Sequence, residues 1–203
     1  MELEIELEEQ KRAQAESASS DKNSLLRQKE QWGKEFGFEL AASLQGIYSE
    51  AVIGIVFPKI GNMFSFGLRG VFAGSITEFV YFDKTDSELI KYSRIASGGT
   101  LWFGCGSPLL FNFIRFYGLA EAFFGTTVSF GVEYGPNFTF GAFGFGGIEF
   151  YTTRWSAVFI EAGGGWMNIF GAAGNVYIEE DGWKGSGFGI KLGTRIYLAK
   201  KAK

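Results

Sequence analysis

The sequence predicts an all-β chain: a closed antiparallel transmembrane β-barrel of eight strands behind a polar N-terminal leader. Three observations predict it. Period-2 alternation recurs from about residue 32 to 199, the spacing of strands with two different faces. The alternation places large apolar residues on one face and glycine, serine, threonine and isolated charges on the other. The composition fits curved, closely packed strands: 203 residues carry 30 Gly and 23 Phe but only 3 Pro.

Three regions follow from texture. Residues 1–31 are rich in charge and lack glycine, and read as a disordered or short helical leader; a periplasmic arm or partner-binding helix is the other reading. Residues 32–199 form the barrel, and 200–203 are a basic tail. The first strand is predicted over 34–45, with Phe36, Phe38, Leu40, Ala42 and Leu44 outward and Glu35 and Glu39 inward. The second covers 63–73, with Phe64, Phe66, Leu68 and Phe72 outward and Arg69 inward. A third lies within 88–103 with Arg94 inward, and a fourth over 109–117 with Arg115 inward. A tight turn at Tyr117-Gly118 then leads to the fifth, 119–134, whose inward face holds Glu121 and Glu133. Gly135-Pro136-Asn137 reads as a hairpin turn. The sixth strand, 138–151, turns Glu149 inward. After Thr152-Thr153-Arg154 the seventh, 155–168, turns Glu161 inward. The last, 186–198, alternates Phe188, Ile190, Leu192 and Ile196 with Gly187, Gly189, Lys191, Gly193, Arg195 and Tyr197.

A soluble sandwich hides its bulky face and shows a polar one. Here the bulky face recurs on eight segments, too many for one small interior, and a face of glycine and charge makes a poor dry core. Hydrocarbon resolves this, because a sheet in lipid must close on itself, and its outer face is then the apolar one. Strands of about ten residues suffice to cross. Short turns at 117–118 and 152–154 fall at the end that carries both termini, and the longer connections 49–62 and 169–185 at the other. Trp32, Tyr48, Tyr134, Tyr151, Trp166 and Tyr197 lie near strand ends, where amphipathic rings suit the headgroup zone.

Other classes lack their requirements. Lys plus Arg is 19 against 22 Asp plus Glu, with no basic stripe, so no nucleic-acid partner is expected. The chain has no histidine, hence no Ser-His-Asp or Cys-His arrangement. Its single cysteine, Cys105, cannot form an internal disulfide. Its aspartates, at 21, 83, 86 and 181, lie outside the well-marked strands, and its glutamates show no spacing that singles out a catalytic pair. No enzyme activity, metal or cofactor is expected.

The run from Gly146 through Glu149-Phe150-Tyr151-Thr152-Thr153-Arg154-Trp155 to Glu161 and Trp166 looks like the late hairpin of small eight-stranded bacterial outer-membrane barrels. Phe111-Asn112-Phe113-Ile114-Arg115-Phe116-Tyr117 is similar to their fourth strand. The resemblance spans roughly residues 32–198 and specifies a superfamily. It implies a bacterial outer-membrane location, a lipid bilayer around the barrel and the envelope's barrel-assembly machinery as a partner. The chain departs from the family in ending Tyr197-Leu198-Ala199-Lys200-Lys201-Ala202-Lys203, not on an aromatic residue. The start, Met1-Glu2-Leu3-Glu4, is acidic and lacks the basic-then-apolar pattern of an export signal, so export implies a signal outside the given sequence.

The candidate site is the barrel's inward charge: Glu35, Glu39, Arg69, Arg94, Arg115, Glu121, Glu133, Glu149, Glu161, Lys191 and Arg195. An eight-stranded barrel is just wide enough for side chains to fill. Near balance of signs predicts a paired, hydrogen-bonded plug, with Arg115 facing Glu121 across the turn near Gly118. The role expected is structural or surface-interacting, with an unidentified surface ligand. Two alternatives stand beside it: a narrow passive pore for small solutes, and a soluble lipocalin-like binder, which needs a polar outer surface.

Overall fold

The structure, a computed structural model, describes residues 34–46, 48–61, 63–75, 79–83, 88–130, 136–170 and 187–198. The leader, the basic tail, Glu133, Trp32, Tyr134 and most of the predicted 169–185 connection lie outside the described residues.

Among the described residues nine strand segments follow one another: β1 (Gly37–Gln45), β2 (Tyr48–Val56), β3 (Phe64–Ser75), β4 (Phe79–Asp83), β5 (Glu88–Gly106), β6 (Ile114–Phe130), β7 (Asn137–Thr153), β8 (Ser156–Phe170) and β9 (Gly187–Tyr197). Each pairs antiparallel with its neighbours. Both β3 and β4 pair with β5, so β4 prolongs the stave that β3 begins, and the barrel has eight staves. Closure is by β1 on β9, from Gly37↔Tyr197 to Gln45↔Gly189. This is a closed antiparallel eight-stranded barrel of the transmembrane type.

The ladder registers fix its shape. From Gly37 the partners run through Val56, Gly67, Trp102, Glu121, Phe143 and Gly165 to Gly187. Gly189 pairs with Gln45, so Gly187, two residues earlier, is level with position 47 on the first stave. The circuit returns ten residues from its start. With ordinary strand spacings this shear tilts the staves by about 40° and gives a backbone radius of about 8 Å. A residue then rises about 2.5 Å along the barrel axis.

The two faces separate as alternation demands. Leu40, Ile53, Phe188 and Leu192 point outward and are more than half exposed, with Leu68, Leu101 and Phe124 beside them. No apolar pocket inside and polar coat outside of the soluble-binder kind is found among the described residues. The inward face is not only glycine and charge, however. Trp102, Phe123, Phe143, Phe145, Phe159, Val52 and Val56 are also buried inside. They fit because inward glycines on neighbouring staves leave them room. A Cβ on Gly67 would lie 2.5 Å from the Trp102 ring nitrogen, and one on Gly193 2.6 Å from Phe159.

Two expectations about the strands are corrected, and they cancel in the count of eight. Residues 49–62 are not one long connection, since β2 occupies most of them. From Ala51 to Val56 its two faces are both without charge, Val52 and Val56 inside and Ile53 and Ile55 outside, so the alternation there carries little contrast. The turn at Tyr117-Gly118 is absent, because Tyr117↔Gly106 and Gly118↔Cys105 continue the β5–β6 ladder without a break. The residual 57–63 connection lies at the end that carries both termini, opposite to expectation, with 107–113 and 154–155. Asn137, expected in a turn, opens β7. At the opposite end Gly46, with φ +57°, makes the two-residue β1–β2 hairpin that glycine suits.

Candidate functional site in the barrel interior

Among the described residues, four glutamates and four cations meet in one cluster inside the barrel. Glu39 (β1), Glu121 (β6), Glu149 (β7) and Glu161 (β8) are each at most 8% exposed, and Arg69 (β3), Arg115 (β6), Lys191 and Arg195 (β9) at most 4%. The registers bring them together. Glu39↔Arg195, Glu161↔Lys191 and Arg115↔Glu149 are direct ladder partners. Arg69 and Glu39 are two staves apart, each opposite Gly54, and they meet across the side chain that Gly54 lacks. A Cβ there would lie 3.1 Å from Arg69 Cγ and 3.4 Å from Glu39 Cβ. Tyr117 reaches Glu161 over Gly147 in the same way, its hydroxyl donating at 2.9 Å.

Arg195 and Arg69 are the hubs. Arg195 donates to Glu39 at 2.8 Å, Glu149 at 3.2 Å and Glu161 at 3.0 Å. Its guanidinium carbon lies 4.3 Å from the Phe159 ring centre and 5.1 Å from that of Tyr117, so aromatic faces take the directions its hydrogen bonds leave free. Arg69 donates to Glu39 at 2.5 Å and to Glu161 at 2.9 Å, and its other terminal nitrogen pairs with Glu121. Lys191 joins Glu121 at 2.9 Å to Glu161 at 3.5 Å, with the Phe145 ring 4.6 Å from its ammonium.

Toward the termini a second layer closes the lumen. Tyr151 and Tyr197 stack at 6.1 Å, and their hydroxyls donate to Glu149 at 2.7 and 2.6 Å. Arg115 donates to Tyr151 at 2.6 Å and lies 3.7 Å from Glu149. Lys59, from the 57–63 connection, approaches Glu149 at 4.0 Å. Arg115 therefore does not face Glu121. Both lie on β6, and Glu121 belongs to Lys191 and Arg69.

Of the other candidates, Arg94 is buried toward the opposite end, its ladder partner Ser129. Glu35 precedes β1 at the mouth and is only partly buried. Tyr48, Tyr151 and Tyr197, read as headgroup aromatics, are 3–4% exposed and lie inside; Trp166 does point outward at 42%. Tyr197 shares its parity with Lys191 and Arg195, and that was the signal to follow. The hydroxyl of Tyr117 and the rings of Trp102 and Phe159 belong to the site by the same parity rule.

The arrangement can neutralise and fill. Buried charge is tolerated when each ion is paired and its remaining positions are hydrogen-bonded. Among the described residues no group of His, Cys, Asp or Glu is arranged to hold a metal ion. Enlarging Gly54 tests the packing. Gly54→Leu is expected to cost about 1–3 kcal/mol by separating Arg69 from Glu39. Gly70→Leu, next to it on the ladder sequence but facing out with Ile53 Cγ2 3.6 Å away, should stay within about 0.5 kcal/mol. Urea titration of both variants in detergent compares them.

No protein-family model matches the chain, and no curated protein matches it. Solved structures similar in fold include the following two. One, from "De novo design of transmembrane beta-barrels", is 11% identical, covers 81% of this chain and 96% of that one, and has a TM-score of 0.40. The other, the N-terminal β-barrel domain of Pseudomonas aeruginosa OprF, is 12% identical, with 81% and 98% covered and a TM-score of 0.46.

Proposed function

We propose that the chain is a bacterial outer-membrane barrel with a closed polar interior and a structural or surface-interacting role, without catalytic activity. Its partners in this reading are the bilayer and the envelope's barrel-assembly machinery. The observation that carries the closed interior is the one cross-linked cluster of four glutamates and four cations among the described residues, running from Glu39 to Arg195 and capped by the Tyr151–Tyr197 stack, with Arg94 buried apart from it. A conducting lumen is more naturally lined by one sign of charge and by water. The surface role is supported by stave length. At about 2.5 Å per residue the 19 residues of β5 span about 47 Å, well beyond a hydrophobic band of about 25 Å. The excess projects at the end away from the termini, because β5 and β6 begin to pair level with β1 at the termini and continue past the β1–β2 hairpin.

Single-channel recording on the full chain in planar bilayers tests the closed interior. The expected result is insertion without discrete conductance. A stable, ion-selective conductance would replace the plug with the narrow passive pore.

A further inference from the structure

The turns at the termini end repeat one another. Pro58-Lys59-Ile60-Gly61-Asn62-Met63-Phe64 and Pro108-Leu109-Leu110-Phe111-Asn112-Phe113-Ile114 share proline, an aliphatic residue and asparagine at the same spacing. Their backbones agree at the positions described in both: Ile60 bridges Phe64 as Leu110 bridges Ile114. Each is tied to the next stave, Gly106 N donating to Met63 O and Tyr151 N to Phe113 O, both at 2.8 Å. The position after the aliphatic residue is left-handed in both, Gly61 at φ +64° and Phe111 at φ +49°. Glycine takes that conformation freely, whereas a bulky side chain there is strained.

Phe111 is therefore held in an unfavourable backbone state, and the residue is 79% exposed. Around it Ile60, Met63, Leu110, Phe113 and Trp155 are also exposed, between 38% and 61%. This apolar rim continues the barrel's lipid-facing wall. Phe36 packs on Phe57 at 6.0 Å and Phe57 on Phe66 at 4.9 Å, a row of rings from the first stave to the third. At the third turn of this end the Arg154 guanidinium sits 4.1 Å above the Trp155 ring, a pairing suited to the headgroup boundary, with indole among acyl chains and cation toward phosphate.

We propose that these three turns form a collar embedded in the bilayer, with Phe111 as its leading anchor, and that the collar sets the depth of the barrel in the leaflet nearest its termini. The occupant of the rim is lipid. Strain at Phe111 is offset by burying its ring among acyl chains. The collar rests on the transmembrane fold and is independent of whether the lumen conducts.

Nitroxide labels read the depth directly. In a Cys105→Ala background, labels are placed singly at positions 60, 110 and 113, with a reference at 190 on the lipid-facing wall, and the protein is folded into phosphatidylcholine vesicles containing a minor anionic lipid. The collar predicts that all three turn labels meet oxygen in preference to a water-soluble nickel reagent, as the 190 label does. Full nickel access at 60, 110 and 113, with 190 protected, would overturn it and leave the rim to a soluble envelope partner. Nickel access at 190 as well would overturn the collar together with the membrane fold. Phe111→Gly supplies a second reading, because it relieves strain while removing the anchor. The collar predicts about a tenfold fall in the folding equilibrium constant in vesicles. An unchanged or raised constant would overturn it.

Discussion

Arg195→Ala is expected to destabilise the folded barrel by about 3–5 kcal/mol, the cost of breaking a buried ion pair from one side. Arg195 donates to three carboxylates on three staves, so its loss leaves Glu39, Glu149 and Glu161 with fewer partners in a place water does not reach. It also empties space beside the rings of Phe159 and Tyr117. Arg69 and Lys191 remain, and they hold Glu39 and Glu161 in part. Glu149 keeps only tyrosine hydroxyls, Arg115 and the more distant Lys59. Urea titration in detergent micelles measures the loss. The double variant Glu39→Ala/Arg195→Ala should lose less than the two single changes added, because the second removal relieves a charge stranded by the first. Strict additivity, or a single-variant loss below about 1 kcal/mol, would mean that the interior is hydrated and the network is not a plug.

Parity carried nearly everything the sequence made legible. The inward position of Glu39, Arg69, Arg94, Arg115, Glu121, Glu149, Glu161, Lys191 and Arg195 follows from alternation alone, because a strand turns successive side chains to opposite faces. What failed was inference from residue type against parity. Aromatic type near a strand end places Tyr151 and Tyr197 at the headgroups, although Tyr197 alternates with the outward-facing Ile196 and Leu198. Tyr117-Gly118 reads as a turn in the sequence, yet the parity of Ile114, Phe116, Gly118 and Ala120 runs unbroken through it. A turn there would have needed no such continuity. β2 stayed hidden for the opposite reason: from Ala51 to Val56, two faces without charge leave parity little to report.

Which charges pair was not legible. Pairing depends on register, and register on how far each stave slides against the next. Arg69 reaches Glu39 because Gly54 lies between them, a relation among three residues on three staves with no local signature. The same holds for the aromatic interior. A face read as too small to pack becomes full once Trp102 lies over Gly67 and Phe159 over Gly193. Small and large inward residues alternate around the barrel, not along a strand, and only the closed sheet shows it.

Leu192→Arg gives the other large effect, and its argument is positional. Leu192 is the middle residue of β9 and points outward, 55% exposed, with Ala42 and Ile160 as its ladder partners on either side. The surrounding wall is apolar, so an arginine there meets hydrocarbon with no carboxylate in reach. At the bilayer midplane this costs about 2–4 kcal/mol. Lys191, one residue earlier, is a cation the fold accepts, because its ammonium turns inward to Glu121 and Glu161. The penalty should also fall with depth. Leu198 lies past the end of β9, outward and 51% exposed, close to the rim. Leu198→Arg should cost clearly less than Leu192→Arg, since a long side chain there can extend past the rim to the headgroups. Folding each variant from urea into vesicles and titrating the folded fraction gives both values. Equal losses at 192 and 198 would mean that β9 does not cross the bilayer in this register, and no loss at 192 would mean that its outer face meets water.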